Sequence, residues 1–275
     1  MTESGVTRGV NKLRAFLLAA FNLPIKAEGD PRAAVALGQD FAISANPVAL
    51  TKRIREFDRA SDRVLREAEL RAFWKALDGR SPMVRDTLRL TLMLGGQRLA
   101  QLLRVTAHDV DLVAGAVRLR DTKGQRIQPR LHTLPIPLAA KPIVKRLMDA
   151  NPGKAGLFSS DGERPMHPDT LTAAVSEISA ALVEQNNAQP FSMRDLRRTC
   201  ETMLAGLGIS KDMRAQIQSH GLGGVQDRHY DRHDYMEEKR TALAAWNARL
   251  AEIVEGRKAP SNLRPLRARN RSVVR

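Results

Sequence analysis

A chain of 275 residues with 43% hydrophobic content is long enough to bury a full core and too apolar to be disordered throughout. Its 45 Lys and Arg against 30 Asp and Glu leave a net charge of +15, a surplus that favours polyanions and, among them, nucleic acid. Aromatics at 4% argue against a stacking platform for single strands, and one cysteine, Cys200, excludes an intramolecular disulfide or a cysteine-based zinc finger.

No apolar run reaches membrane-spanning length and no signal h-region opens the chain, so a cytoplasmic protein without membrane partners is expected. Residues 9–23 place Val10, Leu13, Leu17 and Ala20 on one face, an amphipathic helix expected to stop at Pro24. A short helix near residues 32–38 follows, and the basic, polar stretch from Thr51 to Arg66 reads as a linker. Residues 1–50 are thus a partial helical segment and 51–65 a connection, ahead of a domain over 66–256.

Within that domain Leu70, Phe73, Trp74 and Leu77 mark a helix ending at Gly79. Ser81 and Pro82 open another, which Gly95 and Gly96 end. Arg98 follows this glycine turn, where the backbone can approach a ligand closely. Residues 108–137 alternate as short strands with turns at Gly115 and Lys123-Gly124. Lys123, at the tip of the second hairpin, is either an exposed turn lysine or part of a basic hairpin that lies in a DNA groove. Helices resume over 139–149 and 167–184.

The next helix gathers cations. Ser192 and Asp195 read as a capping box, and Arg194, Arg197 and Arg198 crowd its first turns. Cations there oppose the helix dipole at roughly a few tenths of a kcal/mol each, so a bound phosphate is the natural compensation. Met193, Leu196, Cys200, Met203, Leu204 and Leu207 form the expected core face. At 100° per residue Arg198 points away from it, whereas Arg197 lies at its edge and should be half-buried. Residues 210–218 form a short helix that delivers His220, and a last helix from Met236 carries Leu243, Trp246, Leu250 and Ile253 on one face. The Arg-rich tail over 257–275 lacks periodicity and is expected to be disordered. His220, His229 and His233 could suggest zinc, but no HExxH pattern or further ligand accompanies them.

The order Gly-Gln-Arg (96–98), Lys123, Arg-Asp-Leu-Arg-Arg-Thr (194–199), Ser-His (219–220) and His-Tyr-Asp-Arg (229–232) resembles the tyrosine recombinases, most closely the integrases of satellite phages and genomic islands. The resemblance runs from about Leu13 to Leu250. It implies a mainly α fold with a small antiparallel β-sheet (α+β), the recombinase catalytic domain preceded by a short helical segment. It implies a site-specific DNA recombinase that works without metal, ATP or any other cofactor. Its partners would be double-stranded DNA at attachment sites, three further copies of itself in a tetramer on synapsed DNA, and accessory bending or directionality factors. The terminal helix would pack on a neighbouring protomer.

Residue by residue, Arg98 and Arg197 match the two arginines that grip the scissile phosphate. Lys123 matches the lysine that protonates the leaving 5′ oxygen. His220 matches the histidine that hydrogen-bonds the phosphate or assists proton transfer. Tyr230 matches the nucleophile and is preferred to Tyr235. Three positions depart from the pattern: Arg194 stands where His or Lys is usual, Gln101 where Glu is usual, and Gln-Ser-His replaces Leu-Gly-His. A DNA-binding relative that does not cut, and a strand relaxase of the type IB topoisomerase kind, are the alternatives.

Overall fold

The computed structural model describes residues 7–28, 43–57, 62–121, 129–151, 156–159, 163–220 and 233–257. It divides into two compact units, Met1–Asp62 and Arg63–Arg275. None of the helices among the described residues is long and apolar enough to cross a membrane.

The first unit is built on α1 (Thr7–Glu28). Polar side chains tie the returning chain to it. Asn11 donates to Ile54 O at 2.7 Å and accepts from Ile54 N at 3.1 Å, while Arg14 reaches Thr51 O at 2.7 Å. Asn46 donates to Leu18 O at 2.9 Å and to Asn22 Oδ1 at 2.7 Å. Two sequence expectations fail here. The helix does not stop at Pro24, which lies inside it; the ring removes one N–H near the C-terminal end, and the last turn forms regardless. Nor is the apolar face buried, because Leu13 and Leu17 are exposed and the described residues of this unit supply no apolar layer to cover them. The helix expected near 32–38 lies outside the described residues.

The second unit carries one core. Its elements are α2 (Glu67–Ala76), which tightens into a 3₁₀ turn at Leu77–Gly79, α3 (Pro82–Met93), α4 (Leu99–Leu102), β1 (Val110–Asp111), β2 (Ala116–Asp121), β3 (Arg130–Pro135), α5 (Lys141–Ala150), α6 (Pro168–Glu184), α7 (Met193–Gly206), α8 (Lys211–Gln218) and α9 (Met236–Glu255). The three strands form an antiparallel sheet in the order β1-β2-β3. This is the mainly helical architecture with a small sheet that the sequence implies.

Helix formation follows the sequence signals closely. Pro82 opens α3 at its first turn behind Ser81, and the Asp195 carboxylate accepts from Ser192 N at 2.9 Å to start α7. The end of α3 is closed by α9. Its last carbonyls lie beyond the regular helical donors: Leu92 O accepts from Gly95 N at 2.9 Å and from Trp246 Nε1 at 2.7 Å, and Met93 O accepts from Asn247 Nδ2 at 2.8 Å. Leu243, Trp246, Leu250 and Ile253 are all buried. The apolar face of α9 is therefore buried within its own unit, so the packing on a neighbouring protomer that the resemblance implies would have to use the opposite, exposed face of the helix. Two smaller corrections concern element ends. Strand β3 stops at Pro135 rather than near Leu138, because Pro135 and Pro137 offer no N–H to a ladder. Leu207 is exposed rather than in the core, since α7 ends at Gly206 and its screw no longer sets the direction.

Glu69 fastens the start of this unit. Its buried carboxylate accepts from Arg63 (2.6 Å), Arg66 N (2.7 Å) and Gln189 N (3.0 Å). Burial alone would raise its pKa, but these donors outweigh it and hold the group at about 2. Leu65 N donates to Thr199 Oγ1 at 2.9 Å, joining the same segment to α7.

Candidate active site

The turn after α3 determines how closely three helices meet. Gly95 and Gly96 both have φ of +80°, open to glycine at little cost. A Cβ on Gly96 would lie 3.0 Å from Arg197 Cα and 3.0 Å from Cys200 Cβ, and one on Gly95 would lie 2.9 Å from Ile217 Cγ2. The two glycines thus let this turn rest directly on α7 and α8. Cys200, beneath them, is fully buried and its thiol is pushed up to about 12 by that burial, so it is a packing residue, as the sequence implied.

Arg197 and Arg98 emerge on either side of this contact. Arg197 Nη1 donates to Gly96 O at 2.7 Å and Nη2 to Gln218 O at 2.7 Å. Arg98, the residue that opens α4, donates from Nη1 to the next carbonyl, Ser219 O, at 2.8 Å. Among the described residues Arg197 has no carboxylate within ion-pair distance, and Arg98 has only Asp121, at 3.8 Å. Burial, and then the neighbouring charge of Arg98, bring the Arg197 guanidinium down to about 10, so it stays protonated at neutral pH. His220 completes the cluster, its Nδ1 lying 3.5 Å from Arg197 Nη2. Burial lowers the His220 pKa, Arg197, Arg98 and Arg214 lower it further, and Glu201 opposes them.

Uncharged and buried side chains hold the frame. Gln218 donates to Gly95 O at 2.8 Å, and Gln97 donates to Ile217 O at 3.0 Å. His132, buried on β3, contacts Ile217 O through Nε2 at 2.9 Å. Burial first, then Lys239, brings its pKa to about 3; the neutral ring must carry its proton on Nε2, since a carbonyl can only accept. Ser219 adopts a left-handed conformation with φ of 51° and donates from Oγ to Asp121 Oδ2 at 2.9 Å. That contact ties the end of β2 to the carbonyl that Arg98 grips.

The structure therefore brings together Arg98, Arg197 and His220 of the six predicted residues. Arg194 is exposed on the first turn of α7. Lys123 and Tyr230 lie outside the described residues. Arg198, expected to face outward, is instead engaged: its guanidinium bonds Asp195 Oδ1 at 2.5 Å and Arg63 O at 3.1 Å, because the same Asp195 that caps the helix also offers it a second oxygen. Gln101 is buried, and among the described residues neither its Oε1 nor its Nε2 has a hydrogen-bond partner. Sequence reading missed Asp121, His132 and Glu201, and it quoted Gln97 and Gln218 only as members of motifs, without a role. Only His132 left a usable signal, since it alternates with the buried Leu134 on β3.

The fold is similar to that of a lambda integrase (75–356) dimer bound to a COC′ core site, at 17% identity over 84% of this chain and 78% of that chain, with a TM-score of 0.54. It is similar as well to Tn1549 transposon integrase (aa 82–397) in complex with circular intermediate DNA, at 17% identity over 88% of this chain and 81% of that one, TM-score 0.52. A lambda integrase tetramer bound to a Holliday junction matches at 16% identity over 84% of this chain and 62% of that one, TM-score 0.54. No curated protein matches the sequence. The model of the phage integrase family matches residues 63–235, which takes in the glycine turn, the sheet, both arginines and His220, and the chain accordingly belongs to the phage integrase family, the tyrosine-type site-specific DNA recombinases.

Proposed function

We propose that this chain cleaves and rejoins DNA strands at attachment sites through a 3′-phosphotyrosine intermediate, with Arg98 and Arg197 as the phosphate clamp. The observation that carries this reading is the pair of guanidiniums held on successive carbonyls, Gln218 O and Ser219 O, with no carboxylate on Arg197 among the described residues. A half-buried cation that has only neutral acceptors is short of an anion. A phosphodiester supplies it, and two guanidinium forks can spread charge over its non-bridging oxygens as the transition state forms.

In this reading the Tyr230 phenol oxygen forms a bond to phosphorus while the bond from phosphorus to the 5′ oxygen breaks. A phenol has a pKa near 10, so its proton must leave during attack, and His220 is the acceptor. Lys123 donates the proton that the departing 5′ oxygen needs. The intermediate keeps the phosphodiester energy, so a 5′ hydroxyl from another strand reverses the step without ATP. Arg194, exposed one turn before Arg197, holds DNA phosphate rather than taking part in proton transfer, since a guanidinium is no general base. Synapsis of two sites calls for a tetramer, as the lambda integrase tetramer supports by fold, with only the exposed face of α9 left to take part in it. Bending or directionality factors would act on the DNA around it.

A suicide DNA substrate tests the reading. Wild-type protein forms an adduct stable to denaturant, Tyr230→Phe forms none and Tyr235→Phe keeps it. Wild type that never traps attachment-site DNA yet binds it would favour the non-cutting relative, whose case rests on the unpartnered Gln101 amide where the family pattern has Glu. Relaxation of supercoiled plasmid without an attachment site would favour the topoisomerase-like alternative.

A further inference from the structure

We propose that Glu201 is a positioning residue for His220, holding the imidazole through Nε2–H and leaving Nδ1, beside Arg197, as the nitrogen that works on the substrate. The proposal rests on the recombinase reading for what Nδ1 does there, but not for the contact itself.

Glu201 lies one helical turn after Arg197 on α7, at the i+4 spacing that puts both on one face. Its Oε1 is fixed, because Arg214 Nε of α8 donates to it at 2.8 Å while Arg214 Nη1 anchors on Ile209 O. Its Oε2 is buried and has no hydrogen-bond partner among the described residues. A buried carboxylate oxygen without a donor is costly, and His220 Nε2 lies 4.0 Å from it. That is ion-pair distance, and a hydrogen bond needs it shortened by about 1 Å, which is the closure proposed.

The other side of the ring gives the same answer independently. Arg197 Nη2 lies 3.5 Å from Nδ1, and a guanidinium can only donate. Nδ1 must then be the acceptor, so in the neutral ring the proton sits on Nε2, which faces Glu201. Two neighbours of opposite charge thus specify one tautomer. This is the logic of a base oriented by a third group, built here with a glutamate from the arginine helix itself.

The consequence for proton transfer follows from the charges that surround His220. Arg197 of α7, Arg98 ahead of α4 and Arg214 of α8 all disfavour the imidazolium, and Glu201 is the carboxylate that favours it. When Nδ1 takes the Tyr230 proton it gives up its 3.5 Å contact with Arg197 Nη2, since two donors cannot bond each other, and the new positive charge is compensated through Nε2–H on the Glu201 side. Without Glu201 the ring would meet three guanidiniums unassisted and would hold that proton poorly.

The test uses the full chain labelled with ¹⁵N-histidine, with His220→Ala to identify the signals of His220. In wild type, His220 should be in the Nε2–H tautomer. In Glu201→Gln its titration midpoint should move to lower pH and the tautomer preference should weaken. Glu201→Asp, which keeps the charge on a shorter arm, should fall between the two and controls for a general loss of packing. On a suicide DNA substrate the midpoint of the pH–trapping profile should move in the same direction and order. An Nδ1–H tautomer in wild type, or a His220 midpoint unchanged in Glu201→Gln, overturns the proposal. A wild type that forms no adduct while its spectra behave as expected overturns the recombinase reading and, with it, the catalytic half of the proposal.

Discussion

Replacing Gly96 by alanine isolates what the glycine turn contributes to the site, because Gly208 offers a matched control. Both glycines have φ of +80°, so an alanine meets the same backbone strain at each, about 1 kcal/mol. They differ in what the new Cβ meets. At Gly208 nothing lies within 4 Å, whereas at Gly96 it would press on Arg197 Cα and Cys200 Cβ, each 3.0 Å away. Arg197 Cα is helix backbone and Cys200 is buried beneath it, so neither can swing aside as a flexible side chain would. Overpacking of this kind adds about 1–3 kcal/mol, which puts Gly96→Ala near 2–4 kcal/mol against about 1 for Gly208→Ala. Urea unfolding, with midpoints compared at equal m-value, measures both. Any recoil of α7 would also lengthen the Arg197–Gly96 O bond, so Gly96→Ala should trap DNA more slowly even where it is folded. Equal destabilisation by the two variants would refute the claim that close approach, rather than backbone conformation, is why residue 96 is glycine.

Arg197→Lys should leave the melting temperature nearly unchanged, since a lysine still reaches one carbonyl, yet slow single-turnover trapping by about 10²–10³; a loss under threefold would remove Arg197 from the clamp. Arg194→Ala should keep the fold and reduce the slope of log affinity against log salt by about 1, and an unchanged slope would place Arg194 off the DNA. The Glu69 carboxylate, with its pKa lowered from 4.5 to about 2, contributes stability that is fully present above pH 4.5 and is lost as the pH falls toward 2. The shift corresponds to something on the order of 3 kcal/mol. Glu69→Gln should therefore lower stability at neutral pH and flatten the acid limb between those values, which acid titration of the unfolding free energy will show or fail to show.

How much of this was legible in the sequence depends on whether the cue was local. Caps and breakers were: Ser192 with Asp195, Ser81 with Pro82, and the Gly95-Gly96 stop each stand where the structure uses them. Periodicity gave the core face of α7 and the half-burial of Arg197, but it could not foresee that Asp195 would cap the helix and also capture Arg198. It likewise predicted an apolar face on α1 that no described neighbour covers. The carbonyl frame was invisible for a different reason. Gln97, Gln218 and His132 bond to backbone atoms as distant as 123 residues in sequence, and no pattern of residue types encodes a carbonyl as a partner. Glu201 was passed over because a glutamate on a basic helix reads as ordinary charge balance.

That frame also separates the arginines held by carboxylates from the two proposed to bind the phosphate. Arg120 on Asp109, Arg146 on Asp86 and Arg198 on Asp195 are each paired with a buried carboxylate at 2.5–2.9 Å. Their charge is neutralised and their work is to hold elements together. Carbonyl partners alone do not mark a site, since Arg71 donates to Ile253 O at 2.6 Å near the end of α9. What sets Arg98 and Arg197 apart is that two carbonyl-held guanidiniums stand on successive residues of one turn. Carbonyls fix the direction of each fork without neutralising it; Arg98 has Asp121 only at 3.8 Å, and Arg197 has no carboxylate within ion-pair distance among the described residues. Placing both on Gln218 O and Ser219 O brings them close enough that, after burial, the charge of Arg98 lowers the pKa of Arg197, a mutual repulsion. In the proposed reading a bound phosphate would relieve it. The proposed anion would be favoured by that pair of charges, and the same turn presents His220 on the next residue.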